Sequence, residues 1–331
     1  MKESEIRPQK LFNQYLKLAR EDIDRFFADH SQFVTVACPG CGSQACEPAL
    51  VKLKFRYMLC SECGSLYLSP RPTADMYAVY YQGAESVKFW SSHFFRETAE
   101  ARRQAIFKPR AQLVAEWLKK VKTASAANQL FVDIGSGYAI FLQEVERLGL
   151  FEQVVGIEPE ANLAQVGRDQ GFTIVEKNLE AIDDGEISAD FATAFEVLEH
   201  VFSPLDFLSA AGRILRPGGI LMLTTLTVSG FDIQVLWEHS KSIYPPHHIN
   251  LLSTRGMREL VARSGLQLVD VSTPGELDVD IVRNIQRENP EIQLPRFITS
   301  IIDAPADVRT QFQNFLKENE LSSHIRVMVT R

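Results

Sequence analysis

From residue 129 to the C-terminus, the chain alternates short apolar runs with longer stretches whose apolar residues recur every three or four positions. Runs of the first kind suit strands buried on both faces, and stretches of the second kind suit helices laid over them. Parallel strands need a helix-length crossover between them, so the alternation constrains this region to an α/β sheet covered by helices. The pattern predicts strands at 129–134, 153–158, 172–175, 189–195, 219–226, 266–271 and 324–330. Helices are predicted at about 138–149, 160–170, 203–215 and 253–264, and the connection 272–321 reads as largely helical.

The residues ahead of this alternation divide into three parts. Residues 3–29 carry Leu11, Phe12, Tyr15, Leu16, Ala19, Ile23, Phe26 and Phe27 at helical spacing, as one amphipathic helix. Residues 33–70 contain Val51-Lys52-Leu53-Lys54-Phe55-Arg56-Tyr57, which alternates as a half-exposed strand does. Helices are predicted at about 73–82 and 86–122, the second broken near Pro109, with Phe89, Trp90, Phe94 and Phe95 available for domain docking. The expected organisation is an N-terminal helix (1–32), a cysteine module (33–72), a helical linker or cap (73–125) and an α/β domain (126–331) with a helical insertion at about 272–321.

All five cysteines fall in the second part. The start of the chain, Met1-Lys2-Glu3-Ser4-Glu5, lacks the apolar core of a secretory signal, which points to a cytoplasmic setting and away from disulfides. Cys38-Pro39-Gly40-Cys41 and Cys60-Ser61-Glu62-Cys63 form two C-x2-C pairs separated by 18 residues, the spacing of a four-cysteine zinc site. Four thiolates complete a tetrahedron and leave no position for water, so Cys38, Cys41, Cys60 and Cys63 are expected to hold a structural zinc ion, with Cys46 outside the shell. The net charge of −7 argues against bulk nucleic-acid binding. The basic run Lys119-Lys120-Val121-Lys122 suits the negative pole at a helix end. The longest apolar run, Gly218 to Val228, falls short of the roughly 20 residues that cross a bilayer. The oligomeric state is left open.

Phe131-Val132-Asp133-Ile134-Gly135-Ser136-Gly137 is an apolar strand ending in D-x-G-x-G ahead of a helix, where glycines let the backbone approach a ligand. Ile140 occupies the place of the third glycine that dinucleotide sites favour. Glu158, at the tip of the next strand, stands where an acid accepts from ribose hydroxyls, and Asn178-Leu179 after the third strand could flank an adenine. The fourth strand runs into Phe195-Glu196-Val197-Leu198-Glu199-His200-Val201, and Pro217-Gly218-Gly219 precedes the fifth. On these residues the chain resembles the class I S-adenosylmethionine-dependent methyltransferases over roughly 129–271. The resemblance implies a Rossmann-like seven-stranded sheet with its last strand antiparallel. It further implies that Asp133, Gly135, Ser136 and Gly137 hold the methionine moiety, that Glu158 with Pro159 meets the ribose, and that Phe195 and Glu196 line the sulfonium side.

Three segments leave the edge of the sheet where ligands bind: the run after Phe195, residues 227–252, and residues 272–321. The second contains Tyr244-Pro245-Pro246-His247-His248-Ile249-Asn250, and histidine is the side chain most readily poised as a base. His248 is the leading candidate for a catalytic base, ahead of His200 and His247. Glu276, Asp278 and Asp280 open the third segment, either solvated or touching a sugar. A cysteine module before this fold is similar to the sugar C-methyltransferases, whose Tyr-x-Glu-His run is matched here only at His248. Zinc-bearing ribosomal RNA methyltransferases use histidine in the second pair. Taken whole, the chain most resembles methyltransferases of bacterial surface-polysaccharide pathways. The expected activity is O-methylation of a sugar hydroxyl of a glycan, glycolipid or nucleotide-sugar. The alternatives are a small-molecule (aromatic or lipid) O-methyltransferase and a zinc-ribbon adaptor with a vestigial cofactor fold.

Overall fold

The computed structural model describes residues 8–120 and 130–331, apart from the side chains of Phe94 and Phe95. The expected helix start at 3, the end of the basic run (Val121, Lys122) and Gln129 lie outside the described residues. Helix α1 (Gln9–Phe26) buries Phe12, Tyr15, Ala19 and Ile23 along one face, as their spacing predicts. The hairpin β1 (Cys46–Lys52) and β2 (Phe55–Cys60) turns through Leu53 and Lys54, both at positive φ, the conformation that matches strand twist in a two-residue turn. β3 (Leu66–Leu68), α2 (Ala74–Gly83) and α3 (Glu85–Phe89) follow. Buried Asp22 of α1 accepts from the backbone N–H groups of Glu85 (3.1 Å) and Ser86 (2.7 Å), so one helix caps the start of another.

The long helix predicted at 86–122 is interrupted, though not by Pro109 itself. A π turn (Trp90–Phe94) leads into α4 (Phe95–Arg102), and a second (Arg103–Phe107) into α5 (Lys108–Lys120). The N–H of Lys108 reaches back to the Arg103 carbonyl, so the ladder has already widened when Pro109 enters without a donor.

The remaining elements are β4 (Leu130–Ile134), α6 (Ile140–Glu146), β5 (Gln153–Ile157), α7 (Ala161–Asp169), β6 (Thr173–Val175), β7 (Ala189–Phe195), α8 (Pro204–Ile214), β8 (Leu215–Leu226), α9 (Phe231–Leu236), β9 (Asn250–Leu251), α10 (Thr254–Ser264), β10 (Gln267–Ser272), α11 (Asp278–Glu288), α12 (Arg296–Ile302), α13 (Ala306–Glu318) and β11 (His324–Thr330). Seven strands form one sheet in the order β10-β11-β8-β7-β4-β5-β6, with β11 antiparallel to both neighbours, as the resemblance implies. β8 begins earlier than expected, because a bulge between Leu215 and Ile220 absorbs the Pro217-Gly218-Gly219 turn. Val132, Ala192, Leu221, Leu223 and Val327 pack under α8 and α10. Their alternate neighbours Phe131, Phe191, Met222 and Met328 pack under α5 and α6. The insertion after β10 consists of α11, α12 and α13, with a small core of their own against Leu236.

The cysteine module does not stand apart. β9 lies after β8 in sequence but completes a second sheet, β1-β2-β3-β9, pairing Leu66 with Leu251. Phe27, Phe55, Tyr57, Leu68 and Tyr80 share one core with Val228, Ile243, Ile249 and Leu251. Buried Arg71 donates to the carbonyls of Leu68 (2.9 Å) and Phe202 (2.9 Å) and to Asn250 Oδ1 (3.1 Å). Arg263 of α10 donates to the Gly40 carbonyl (2.6 Å), within the first cysteine pair.

At Gly256 the module and the domain leave no room for a side chain. A Cβ there would stand 2.1 Å from Ser65 Oγ and 3.1 Å from Cys63 Sγ. Gly256→Ala is therefore expected to destabilise the protein by about 1–3 kcal/mol, the usual range for overpacking. A lower urea midpoint with faster proteolysis between residues 38 and 63 is the expected reading, and an unchanged midpoint would mean that this seam is loose.

Candidate active site and cysteine cluster

The C-terminal ends of β4, β5, β7 and β8 meet at one edge of the sheet. After β4 the chain turns through Gly135 (φ 75°) and Gly137 (φ 51°), and the N–H groups of Gly135 and Ser136 donate to the Ile157 carbonyl (2.8 and 3.2 Å). A Cβ on Gly135 would stand 2.8 Å from Val197 Cγ2, so conformation and space both require glycine. Asp133 is buried and accepts from Thr193 Oγ1 (2.6 Å). Burial, against that bond and the Arg110 charge, pushes its pKa up to about 7. Glu158 is also buried; its two oxygens accept from the N–H groups of Gly137 (2.9 Å) and Glu160 (3.0 Å), and burial raises its pKa against those bonds. Ser136 Oγ is buried beside this turn without a hydrogen-bond partner among the described residues. A glycine cradle, two carboxylates and an orphaned hydroxyl fit a polar ligand lying across β4 and β5.

The other residues expected at the cofactor take varied positions. Pro159 and Asn178 are exposed at the ends of β5 and β6, whereas the Leu179 side chain packs into the core beneath the sheet. The Phe195 ring meets Phe141 edge-on (4.9 Å between centroids), with the Arg110 guanidinium over it at 4.6 Å. Glu196 adopts positive φ (57°), and its Oε1 receives Arg110 Nη2 (2.8 Å), Thr224 Oγ1 (2.7 Å) and His324 Nε2 (2.8 Å). Burial opposes its charge, but His324, Arg110 and Thr224 outweigh burial and hold its carboxyl well below the usual range.

The structure brings His200 and His248 together and sets His247 apart. The rings of His200 and His248 lie 5.0 Å apart, edge to face. His200 Nδ1 is 3.0 Å from the His247 carbonyl, and His248 Nδ1 is 2.7 Å from the Ser242 carbonyl. Burial lowers the pKa of His200, partly offset by its carbonyl bond. Glu199 is buried beside them and accepts from Thr225 Oγ1 (2.7 Å); burial and the Glu196 charge push its pKa up to about 8. One ligand atom from each of Glu199, His200 and His248 lies within 4.8 Å of the other two. His247 turns instead into an aromatic cluster, with Nε2 at 2.8 Å from Tyr80 Oη and its ring stacked on Tyr244. Glu276 pairs with Lys317, and buried Asp278 accepts from Ser322 Oγ (2.6 Å) and the Ser323 N–H (2.7 Å), which fastens the insertion to β11.

The thiols of Cys38, Cys41, Cys60 and Cys63 also converge within 4.8 Å, with Cys38–Cys63 at 3.5 Å and Cys41–Cys60 at 3.4 Å. A tetrahedral zinc with bonds of about 2.3 Å separates its sulfurs by about 3.8 Å, so the cluster is compatible with a zinc module. Reading the sequence alone misses Arg110, Thr193, Thr224 and His324, none of which lies in a motif. It also misses Glu199 as a site residue, although Glu199 sits inside the Glu196–Val201 run.

The sequence profile of the family described as "Methyltransferase domain" matches residues 100–271, just over half of the chain. A ubiquinone biosynthesis O-methyltransferase of Xanthomonas oryzae pv. oryzae is 30% identical over 154 residues, covering 43% of this chain and 64% of its own length. The protein of the same name from Xanthomonas campestris pv. campestris is 28% identical over 152 residues, with the same coverage. The chain thus spans 64% of the length of these curated relatives. Similar solved structures include the plantazolicin methyltransferase BpumL in complex with SAH (TM-score 0.49, 12% identity, 77% of this chain and 93% of that chain). Another is an S-adenosylmethionine-dependent methyltransferase from Clostridium acetobutylicum (TM-score 0.46, 7% identity, 71% of this chain and 98% of that chain). Through the match over residues 100–271, on a seven-stranded sheet with its last strand antiparallel, the chain belongs to the methyltransferase-domain family.

Proposed function

We propose that this protein is an S-adenosylmethionine-dependent O-methyltransferase acting on a sugar hydroxyl of a glycan, glycolipid or nucleotide-sugar. The observation that carries the transferase reading is one continuous edge of the sheet. At one end it holds a glycine cradle with Asp133 and Glu158, and at the other the Glu199–His200–His248 cluster. When bound, the cofactor supplies a methyl group on a positively charged sulfur that leaves readily. Asp133 would receive the ammonium of its methionine part, with the Gly135–Gly137 turn closing around the chain. Glu158 would accept from the ribose hydroxyls with the lone pairs left by its two backbone bonds. Asn178 and Pro159 would border the base and ribose, and Phe195 and Glu196 the sulfonium side. Glu199, His200 and His248 would face the acceptor hydroxyl and relieve it of its proton. The Cys38, Cys41, Cys60 and Cys63 cluster would hold structural zinc.

A phenolic acceptor is the second reading. It is favoured by the similarity to ubiquinone biosynthesis O-methyltransferases and by the ring cluster of Tyr15, Tyr80, Tyr244 and His247 at the loop 227–252. Incubation with cofactor carrying a trideuterated methyl group, followed by mass spectrometry of nucleotide-sugars, glycan extracts and phenolic lipids, separates the two. A labelled sugar supports the first reading, and a labelled phenol replaces it with the second. Failure of S-adenosylmethionine to bind at millimolar concentration in calorimetry would leave an adaptor in place of an enzyme.

Three further outcomes are expected. Below pH 7 Asp133 holds its proton and cannot meet an ammonium, so S-adenosylhomocysteine should bind about tenfold more tightly for each pH unit from 5 to 7 and level off above. Asp133→Asn should flatten that slope in calorimetry, and a pH-independent wild-type Kd would contradict the assignment. Glu158→Ala should weaken the same ligand at least roughly tenfold, since bonds to a charged group are worth about 1.5–3 kcal/mol each. His248→Ala should lower turnover by about 10²–10⁴ with cofactor affinity unchanged. Retained turnover would move the acceptor away from this loop.

A further inference from the structure

We propose that Glu199, His200 and His248 form a second metal site, separate from the four cysteines, that takes one first-row divalent cation such as Mn²⁺, Fe²⁺, Co²⁺ or Zn²⁺. The first support is the protonation pattern of the rings. His200 Nδ1 and His248 Nδ1 each face a backbone carbonyl, at 3.0 and 2.7 Å. A carbonyl only accepts, so in both rings Nδ1 carries the proton and Nε2 the lone pair. A ring N–H given to a carbonyl is the usual way a metal-binding histidine is oriented.

The carboxylate is oriented in the same fashion. Thr225 Oγ1 donates to Glu199 Oε2 at 2.7 Å, which fixes the plane of the group. Arg110, whose charge reaches Glu199, is itself bonded to Glu196 at 2.8 Å. One ligand atom from each of the three groups lies within 4.8 Å of the other two, near enough for a single cation to meet all three.

The backbone that carries the three ligands is pinned from both sides. The Glu199 carbonyl accepts from the N–H groups of Ile249 (2.9 Å) and Asn250 (3.2 Å), which ties the turn after β7 to the acceptor loop. Tyr57 Oη, from the cysteine module, donates to the His248 carbonyl at 2.7 Å. Two imidazoles and one carboxylate suit first-row divalent ions from Mn²⁺ to Zn²⁺, whereas four soft thiolates select zinc among them. Three protein ligands also leave coordination positions open, as catalytic sites do. Use of those positions to hold the acceptor hydroxyl and make it more acidic rests on the methyltransferase reading; the binding of a cation does not.

The test adds Mn²⁺ and, separately, Co²⁺ to the full chain produced with zinc in its cysteine site. Binding is followed by loss of the free Mn²⁺ paramagnetic-resonance signal and by the visible spectrum of Co²⁺. About one ion per chain is expected, with cobalt bands that lack thiolate charge transfer. Loss of an outer partner of a metal site costs about 10–100-fold in affinity, so Thr225→Val should weaken binding about tenfold. Loss of a ligand should exceed that range, so Glu199→Gln and His248→Ala should each weaken binding more than about 100-fold. S-adenosylhomocysteine affinity, measured on the same samples, reports that each variant is folded. Failure of the wild type to retain either ion, or variants that retain them as well as wild type does, would overturn the site. Bound metal with no methyl transfer to any acceptor would instead leave the site standing and remove the transferase reading.

Discussion

Asn250 donates through its side-chain amide to the carbonyls of Leu198 (3.3 Å) and Val201 (2.7 Å) and accepts from buried Arg71 (3.1 Å). One residue thereby joins the turn after β7, the loop 227–252 and the end of the cysteine module. The bonds to Leu198 and Arg71 are buried, so leaving either unmade would strand a polar group without water. The same segment supplies β9, the fourth strand of the sheet that begins with the cysteine pairs. The position of His248, two residues earlier, follows from this seam and not from the loop's own preferences.

Two carboxylates three positions apart are driven in opposite directions by their surroundings. Glu196 meets His324, Arg110 and Thr224 and stays ionised, whereas at Glu199 burial and the Glu196 charge outweigh the Thr225 bond and the Arg110 charge and favour its proton. Divergent environments for neighbouring acids are a frequent mark of sites that handle protons or ions. Glu196 and Arg110 also tie helix α5 to the sheet edge across the Phe195 ring, so the helical cap and the sheet meet at the C-terminal end of β7.

Local patterns made much of this visible in the sequence. The strands from Leu130 to Thr330 follow from apolar runs that must be buried on both faces. The turn at Gly135 and Gly137 follows from positive φ, which glycine alone adopts without strain. The C-x2-C pairs are local in the same sense. What the sequence conceals is contact between distant positions. Arg110 and His324 reach Glu196 across 86 and 128 residues, and neither stands in a recognisable pattern. β9 is only Asn250-Leu251, too short for any periodicity, yet its pairing with β3 ties the cysteine module to the loop that carries His248. The π turns are equally silent, because the residues that widen the helix are ordinary helix formers.

The dependence of the loop 227–252 on the cysteine module is most directly measured by amide hydrogen exchange of the full chain and its Cys60→Ser variant. The N–H groups of Ile249 and Asn250, which donate to the Glu199 carbonyl, should exchange far faster in the variant. Those of β4 and β5 should stay protected. Unchanged protection at Ile249 and Asn250, with the cysteine module itself opened, would contradict the seam as the element that sets the site.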